Sequence, residues 1–401
     1  MLALHELEIN RDATDSYLDE EEWCDMAWTR PLYSRRQVDV AGANLANNFV
    51  TLLQRYTSDS SDSSGDVSVN YEKFFEEYDR TLAIINNWRA SHSLPLLTLK
   101  KALQYRAKKV DENAIIAQRL KRLFSISHKL ERNAHMKLSQ MQDIGGCRAV
   151  LRDVNQVDRL VTIYEESIAK NPHDRAECIE TYDYIKHPKR DGYRSIHYVY
   201  KYRSKSPQHQ CFNGLRIEVQ LRSQLQHAWA TAVETVSTFT GQALKSNVGD
   251  AEWKRFFALM GSAIALREDR PLVPETPEDE DALVDELRTL ALQLRIEAVL
   301  SGWSQAVLIA GDWPMDAQAF LLVLDAKTKK VVVQGYRKNE MEKADEEYLK
   351  VEKENKDNPD VQAVLVSVDS ISALQSAYPN YYLDTSAFLD AVRLAIHEGK
   401  G

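Results

Sequence analysis

The sequence predicts an α+β protein: a mixed β-sheet flanked by helices, with a second, small α+β unit behind it. Three observations carry that expectation. From about residue 140 to 222, short β-rich runs (GCRAVLRDV, IHYVYKYR and LRIEVQLRS) are separated by helical segments such as VDRLVTIYEESIAK, and strands interleaved with helices build a covered mixed sheet. On both sides of that region apolar residues recur at helical spacing. After a stretch rich in Pro and acid, apolar runs return as a hairpin-like pair with helices of its own.

In chain order, GANLANNFVTLLQRY has the apolar spacing of a helix, and TSDSSDSSGD, residues 57–66, buries nothing and reads as a flexible, disordered surface loop. YEKFFEEYDRTLAIINNWRASH returns to helix, and the helical run continues through LLTLKKALQYRAKK. Residues 1–75 therefore read as a helical extension carrying the Ser/Asp loop, and 76–268 as the main unit. That unit closes with the helices QLQHAWATAVETVSTF and DAEWKRFFALMGSAIALRE. Asp269 to Ala282, DRPLVPETPEDEDA, is the candidate linker. Residues 283–401 hold a helix over DALVDELRTLALQLRIEAVLSGW, the pair AFLLVLD and KKVVVQGY, and the charged helix EMEKADEEYLKVEKEN. A strand, VQAVLVSV, and a terminal helix, TSAFLDAVRLAIHE, complete it.

A chain of 401 residues is too long for one ordinary core. Hydrophobic content of 44% with 28% charged residues is that of a soluble globular protein. The formal net charge of -9 argues against a uniformly basic nucleic-acid coat. Positive charge is instead concentrated in Lys100, Lys101, Arg106, Lys108, Lys109, Arg119, Lys121, Arg122, Lys129, Arg132 and Lys137, a local field that points to a phosphate-rich ligand. Cys24, Cys147, Cys178 and Cys211 form no C-x-x-C pair, poor material for a zinc site or a disulfide framework. The acidic start of the chain is unlike a secretory signal, and apolar runs such as AFLLVL are too short to span a bilayer. The expectation is a cytoplasmic protein without a membrane partner.

Chemistry concentrates in four stretches. In LRIEVQLRS, period-two alternation puts Ile217, Val219 and Leu221 on one face and Arg216, Glu218, Gln220 and Arg222 on the other, which needs water, partners or a ligand. In QDIGGCRAVL, Asp143 precedes two glycines that allow close approach, and Arg148 can face the same space. Two carboxylates from separate elements facing one cleft suit Mg²⁺ bound together with substrate phosphates. RLKRLFSISHK has two geometries. As a strand it projects Arg119 and Lys121 to one side, with Ser125 capping a helix that carries Lys129; as a helix throughout it stacks Lys121, Ser125 and Lys129 on one face. In DYIKHPKRDGYRSIH, a Gly turn with an aromatic ring among cations suggests a base stacked beside a phosphate chain. No G-x-x-x-x-G-K-[ST] occurs, which disfavours a Walker-type ATPase.

The series DIGGCRAV, YIKHPKRDGYRSIHYVY and RIEVQLRSQLQHAWATAVE, with the upstream R-L-K, resembles the synthetase domain of the RelA/SpoT family over roughly residues 80–240. That family moves pyrophosphate from ATP to a ribose 3′-hydroxyl. The resemblance implies that Arg119 and Arg148 sandwich the ATP adenine, and that Lys121, Ser125 and Lys129 hold its phosphates. It implies that Asp143 and Glu218 bind Mg²⁺, with Glu218 also the base for the acceptor hydroxyl. Tyr193 would stack the acceptor base, flanked by Lys189, Ser195 and His197, with Gln220 orienting the acceptor. Gly192 would let that base approach and Lys189 would face the phosphates. Asp191 stands where the family usually has Asn, which makes the loop less welcoming to the phosphates of free GDP or GTP. No H-D dyad of the family's hydrolase domain precedes residue 100, so synthesis alone is expected.

The layout also resembles CapRel-type fused toxic small alarmone synthetases, in which a carboxy-terminal antitoxin-like domain, described as a degenerate zinc finger, silences the enzyme. SAYPNYYLDTSAF carries the matching Y-x-x-Y, Tyr378 and Tyr381. Pro379 disfavours helix at Tyr378 but tolerates one beginning there, so both rings could project from a first turn; the other reading is half-buried helix anchors. By the resemblance the two rings block the adenine site until a phage protein binds the domain, and the acceptor is the 3′-CCA end of tRNA. No Cys follows Cys211, so no zinc is expected. The expected protein is a monomer that uses ATP and Mg²⁺ in phage defence, the alternative being a (p)ppGpp synthetase acting on guanosine nucleotides.

Overall fold

The structure, a computed structural model, describes residues 28–47, 57–59, 67–69, 71–121, 123–133, 135–170, 176–243, 250–311, 317–325, 327–328, 330–355, 358, 361–367 and 381–397. Helix α1, Arg35–Ala46, starts at Ser34, whose hydroxyl accepts from the Gln37 amide while the Gln37 side chain returns the bond, a capping box. Strand β1, Thr57–Asp59, pairs antiparallel with β2, Val67–Val69, Thr57 facing Val69. The first three residues of the expected disordered loop are therefore strand, because a partner just beyond the tract supplies their ladder. The helical run beyond it is split into α2, Tyr71–Ala90, and α3, Ser93–Val110. Pro95 sits in the first turn of α3, where its missing N–H costs nothing, and the Ser91 hydroxyl and His92 ring both bond the Trp88 carbonyl at the joint.

Next come β3, Ile115–Leu120; α4, Leu123–Arg132; β4, Gly145–Leu151; α5, Val154–Lys170; β5, Ala176–Asp183; β6, Ile196–Tyr202; and β7, Arg216–Ser223. The sheet order is β3-β4-β7-β6-β5, with β4 and β7 parallel and the other neighbours antiparallel. β5 was not among the expected strands. It is a half-exposed edge strand whose register shifts at Cys178/Glu180, so it lacks clean alternation and owes its form to pairing with β6. One sheet face, with Cys147, Ala149, Tyr198, Tyr200, Ile217, Val219 and Leu221, is closed by Leu99 and Leu103 of α3 and Val157, Leu160 and Tyr164 of α5. That burial turns the other side chains of the same strands to the opposite face.

The chain continues through α6, Gln224–Ala243; α7, Asp250–Arg267; α8, Glu280–Gln293; and α9, Ile296–Gly311. Sequence spacing suggests one helix where α8 and α9 stand; Arg295, at φ 50, breaks it. β8, Ala319–Asp325, pairs antiparallel with β9, Lys330–Tyr336, the expected hairpin, and with β10, Val361–Ser367, on its other side. α10, Met341–Glu354, precedes β10, and α11, Tyr381–His397, follows it.

The segment expected as a linker, 269–282, is hydrogen-bonded along its length. Arg194 donates to the Pro271 carbonyl, the buried Val273 donates its amide to Ser262 Oγ at 2.9 Å, and Arg255 donates to the Glu275 carbonyl at 2.7 Å. One hydrophobic core runs across it: Trp229 and Val236 of α6, Phe256 and Phe257 of α7, Leu287 of α8, Trp303 of α9, Leu322 of β8 and Phe388 of α11 belong to the same buried cluster. Phe388 is fully buried. Phe388→Ala should therefore cost about 3–5 kcal/mol, read in urea unfolding, and should lower the signal of the main sheet together with that of α11. Loss of α11 alone, with the sheet unmoved, would show that the two sides of this core unfold separately.

Candidate functional site

The site grows from the parallel pairing of β4 with β7. In register, Gly146 faces Glu218 and Arg148 faces Gln220, while Arg119 on β3 faces Gly146 and Ala117 faces Arg148. Period two then places Arg119, Arg148, Glu218, Gln220 and Arg222 on one face. These residues, with Asp143, Tyr193 and the α6 residues Trp229, Ala230, Val233 and Glu234, line a single cleft of 240 Å³. The two glycines have different tasks. A side chain at Gly145 would strike Ile217 at 2.7 Å, whereas one at Gly146 would meet nothing nearer than 3.8 Å. Gly145 is bare for packing, and Gly146 leaves the cleft floor open beside Glu218.

RLKRLFSISHK adopts the strand-then-helix geometry. Arg119 is exposed on β3, and Lys121, one step past the strand, donates its amide to the Ile144 carbonyl at 2.7 Å. Ser125 does not cap α4; it lies inside it, one turn before Lys129. Both cations meet the same carboxylate, Lys121 Nζ at 2.8 Å from Asp143 Oδ2 and Lys129 Nζ at 2.9 Å from Oδ1. Burial pushes the Asp143 carboxyl up, but the Lys121 and Lys129 ammoniums outweigh it and hold it at about 2.

Glu218 is held on both oxygens. His197 Nδ1 donates to Oε1 at 2.9 Å and Gln220 donates to Oε2. Burial raises this carboxyl too, yet the His197 hydrogen bond and charge bring it below its ordinary value. On its far side the His197 ring meets the Tyr193 hydroxyl at 2.8 Å, so Tyr193, His197 and Glu218 form one chain of hydrogen bonds. Tyr193 also meets Trp229 and Tyr184 edge-on, ring centroids 6.2 and 6.0 Å apart.

Other residues of the DYIKHPKRDGYRSIH loop sit differently from expectation. Gly192, at φ +94, is packed against α7: a Cβ there would lie 2.6 Å from the Phe257 carbonyl and 3.0 Å from Trp229, so its bareness lets the loop lie against that helix. Ser195 is fully buried and donates to the Leu221 carbonyl at 3.0 Å, which ties the loop to β7. Lys189 lies over the rings of Tyr184, at 4.2 Å, and Tyr193, at 5.1 Å, which fixes the aromatic pair. Asp191 accepts from the Tyr193 amide at 2.9 Å, a turn-closing bond that Asn could make equally. Tyr378 lies outside the described residues, and Tyr381 opens α11.

Sequence reasoning missed the α6 wall, Trp229 above all, and gave Arg222 no role. The signal for Trp229 was present in HAWATAVE, where Trp229 and Val233 stand one turn apart, but one face of a helix does not reveal what it covers. As metal ligands, Asp143 and Glu218 offer ionised hard oxygens to one cleft. Among the described residues no group of three or more His, Cys, Asp or Glu gathers to hold a metal without other ligands. That donor set fits Mg²⁺ carried in on substrate phosphates.

Residues 118–240, which contain both carboxylates and the three cleft arginines, match the family model described as the region found in RelA / SpoT proteins. Among solved structures the chain is similar to small alarmone synthetase 1 from Bacillus subtilis bound to its product pppGpp, at 21% identity over 48% of this chain and 94% of that one, TM-score 0.37. It is also similar to a GTP pyrophosphokinase family protein from Streptococcus pneumoniae, at 21% identity over 56% and 98%, TM-score 0.34. Small alarmone synthetase 2 from Bacillus subtilis is matched at 20% identity over 46% and 93%, TM-score 0.35. A search of curated proteins found no match.

The depressed Asp143 carboxyl predicts a pH signature in metal-free buffer. A group whose folded pKa lies below its unfolded value stabilises above the unfolded value, near 3.9, and loses that contribution as pH falls through about 2. Asp143→Asn should therefore be less stable than the parent by about 2 kcal/mol at pH 7, with the gap closing between about pH 4 and pH 2. A gap that stays constant across that range in urea unfolding would show that the carboxylate is not held by the two lysines.

Proposed function

We propose that the chain is an ATP-dependent pyrophosphotransferase whose acceptor is the 3′-hydroxyl of the tRNA CCA end. The observation that carries the reaction class is the convergence of Asp143 and Glu218 on one arginine-lined cleft inside the RelA/SpoT-like region. The acceptor oxygen attacks the β-phosphorus of ATP, the bond from that phosphorus to the α-phosphate oxygen breaks, and AMP leaves. Glu218, oriented through both oxygens, takes the acceptor proton. Lys121 and Lys129 are placed to exchange Asp143 for the phosphates, and Arg119 and Arg148 to stack the adenine. Mg²⁺, held by Asp143 and Glu218, would offset charge on the transferred group. Tyr193 stacks the acceptor base, and Gln220 and His197 position Glu218 against it.

Support for an RNA acceptor comes from the basic cluster. Lys108, Arg132 and Lys137 are exposed and suit a phosphate backbone, whereas Arg106, Lys121 and Lys129 bond within the protein. The proposal extends to a CapRel-type toxin in phage defence, silenced by Tyr378 and Tyr381 until a phage protein binds the carboxy-terminal unit. Its support is that α11, which starts at Tyr381, packs on α6, the helix that walls the cleft. One observation favours the second reading, a (p)ppGpp synthetase. Asp191 is engaged in closing its own turn, so its charge is a weaker obstacle to guanosine nucleotides than the sequence alone implies.

Labelled ATP offered separately with tRNA and with GDP or GTP decides between the two. The Tyr378→Ala, Tyr381→Ala double variant should label tRNA faster than the parent, and Glu218→Gln in that background should cut the rate by about 100-fold or more. Label in guanosine nucleotides alone would select the second reading. A folded double variant that labels no acceptor would end the enzyme assignment.

A further inference from the structure

The cleft has two unlike ends, and one of them holds a cation that the reading above leaves unused. Arg222 is 3% exposed and lines the cleft. Among the described residues its buried Nε has no hydrogen-bond partner. A buried guanidinium N–H left without an acceptor is costly. The buried Arg194, by contrast, donates from each of its three nitrogens, to the carbonyls of Gly261, Ile185 and Pro271.

Position says what such a cation would meet. On β4, Gly145 stands opposite Ile217 and Val150 opposite Arg222, which puts the Gly145 end of the ladder, next to Asp143 and Lys121, about 17 Å along the sheet from the Arg222 position. The first end is charged and suits phosphates. The α6 wall of the same cleft supplies Trp229, Ala230 and Val233 together with the Glu234 carboxylate, a lining that disfavours a phosphate but accepts a flat ring. A nucleotide has the same polarity, anionic at one end and a heteroaromatic ring at the other, with acceptor nitrogens on the ring edge.

We propose that Arg222 is a nucleobase-reading residue, donating from its guanidinium to an acceptor atom on the edge of a purine ring seated against Trp229 and Val233. The assignment rests on the nucleotide reading of the cleft. It gives the base end a polar contact in addition to stacking, and it explains why a buried arginine with an unpartnered Nε persists there: bound ligand supplies the missing acceptor.

The test compares the parent with Arg222→Met and Arg222→Lys, using Mg²⁺·ATP, Mg²⁺·GTP and inorganic tripolyphosphate as probes. Arg222→Met should keep or raise the Tm of the ligand-free protein, because a desolvated charge is gone. It should weaken binding of at least one of the two nucleotides by about tenfold or more, the loss expected for one charge-assisted hydrogen bond, and leave tripolyphosphate affinity unchanged; Arg222→Lys should recover part of the nucleotide affinity. A fall in ligand-free Tm with nucleotide affinity intact would make Arg222 a structural residue and overturn the proposal. Equal losses for tripolyphosphate and nucleotide would make it a phosphate clamp, which also overturns it. A parent that binds no nucleotide would remove the enzyme reading and this inference together, whereas a parent that binds and an Arg222→Met chain that binds as tightly would remove this inference alone.

Discussion

The parallel pairing of β4 with β7 is the constraint on which the molecule depends. It sets Gly146 against Glu218 and Arg148 against Gln220, and the acid that precedes β4 reaches the same cleft as the acid within β7. A one-residue slip would send Glu218 and Gln220 into the core and Val219 and Leu221 into the cleft. What prevents the slip is the opposite face, where Ile217, Val219 and Leu221 are fully buried beneath α3 and α5. The apolar half of each strand therefore fixes the chemical half.

The cleft gathers like and unlike charges that would be unfavourable one by one. Burial alone would drive Asp143 and Glu218 toward the neutral acid. Asp143 escapes through two ammoniums, and Glu218 through His197 and the Gln220 amide. Each acid is ionised and oriented by a different partner, which leaves the space between them open over Gly146. The Tyr193–His197–Glu218 chain then links the aromatic loop to the acid, so the position of the ring and the orientation of the carboxylate are set together.

α6 joins the two halves of the protein. Trp229 lines the cleft, meets Tyr193 edge-on, and donates its indole N–H to the Phe257 carbonyl at 2.9 Å. Phe257 in turn lies 5.9 Å from Phe388 of α11, centroid to centroid. A packed aromatic series thus runs from the cleft wall into the carboxy-terminal helix, and Gly192 is bare so that the loop can lie against α7 at the same place. Events at α11 have a physical route to the cleft through close packing, which transmits displacement instead of absorbing it.

The local pattern of the sequence yields the α+β class, three of the five main strands and the alternation that separates Glu218 and Gln220 from the core, because those features follow from the period of apolar residues. It also singled out Asp143, Arg119 and Arg148, whose residue types and spacing carry the family resemblance. It could not show β5, an irregular edge strand formed by its neighbour, nor the breaks at Ser91–His92 and Arg295. The fold in three dimensions adds that Lys121 and Lys129 share one carboxylate, that Ser195 and Gly192 are packed against β7 and α7, and that 269–282 is hydrogen-bonded to its surroundings. Each of those outcomes depends on what stands across a gap from the residue, and partners distant in the chain leave no periodic mark on it.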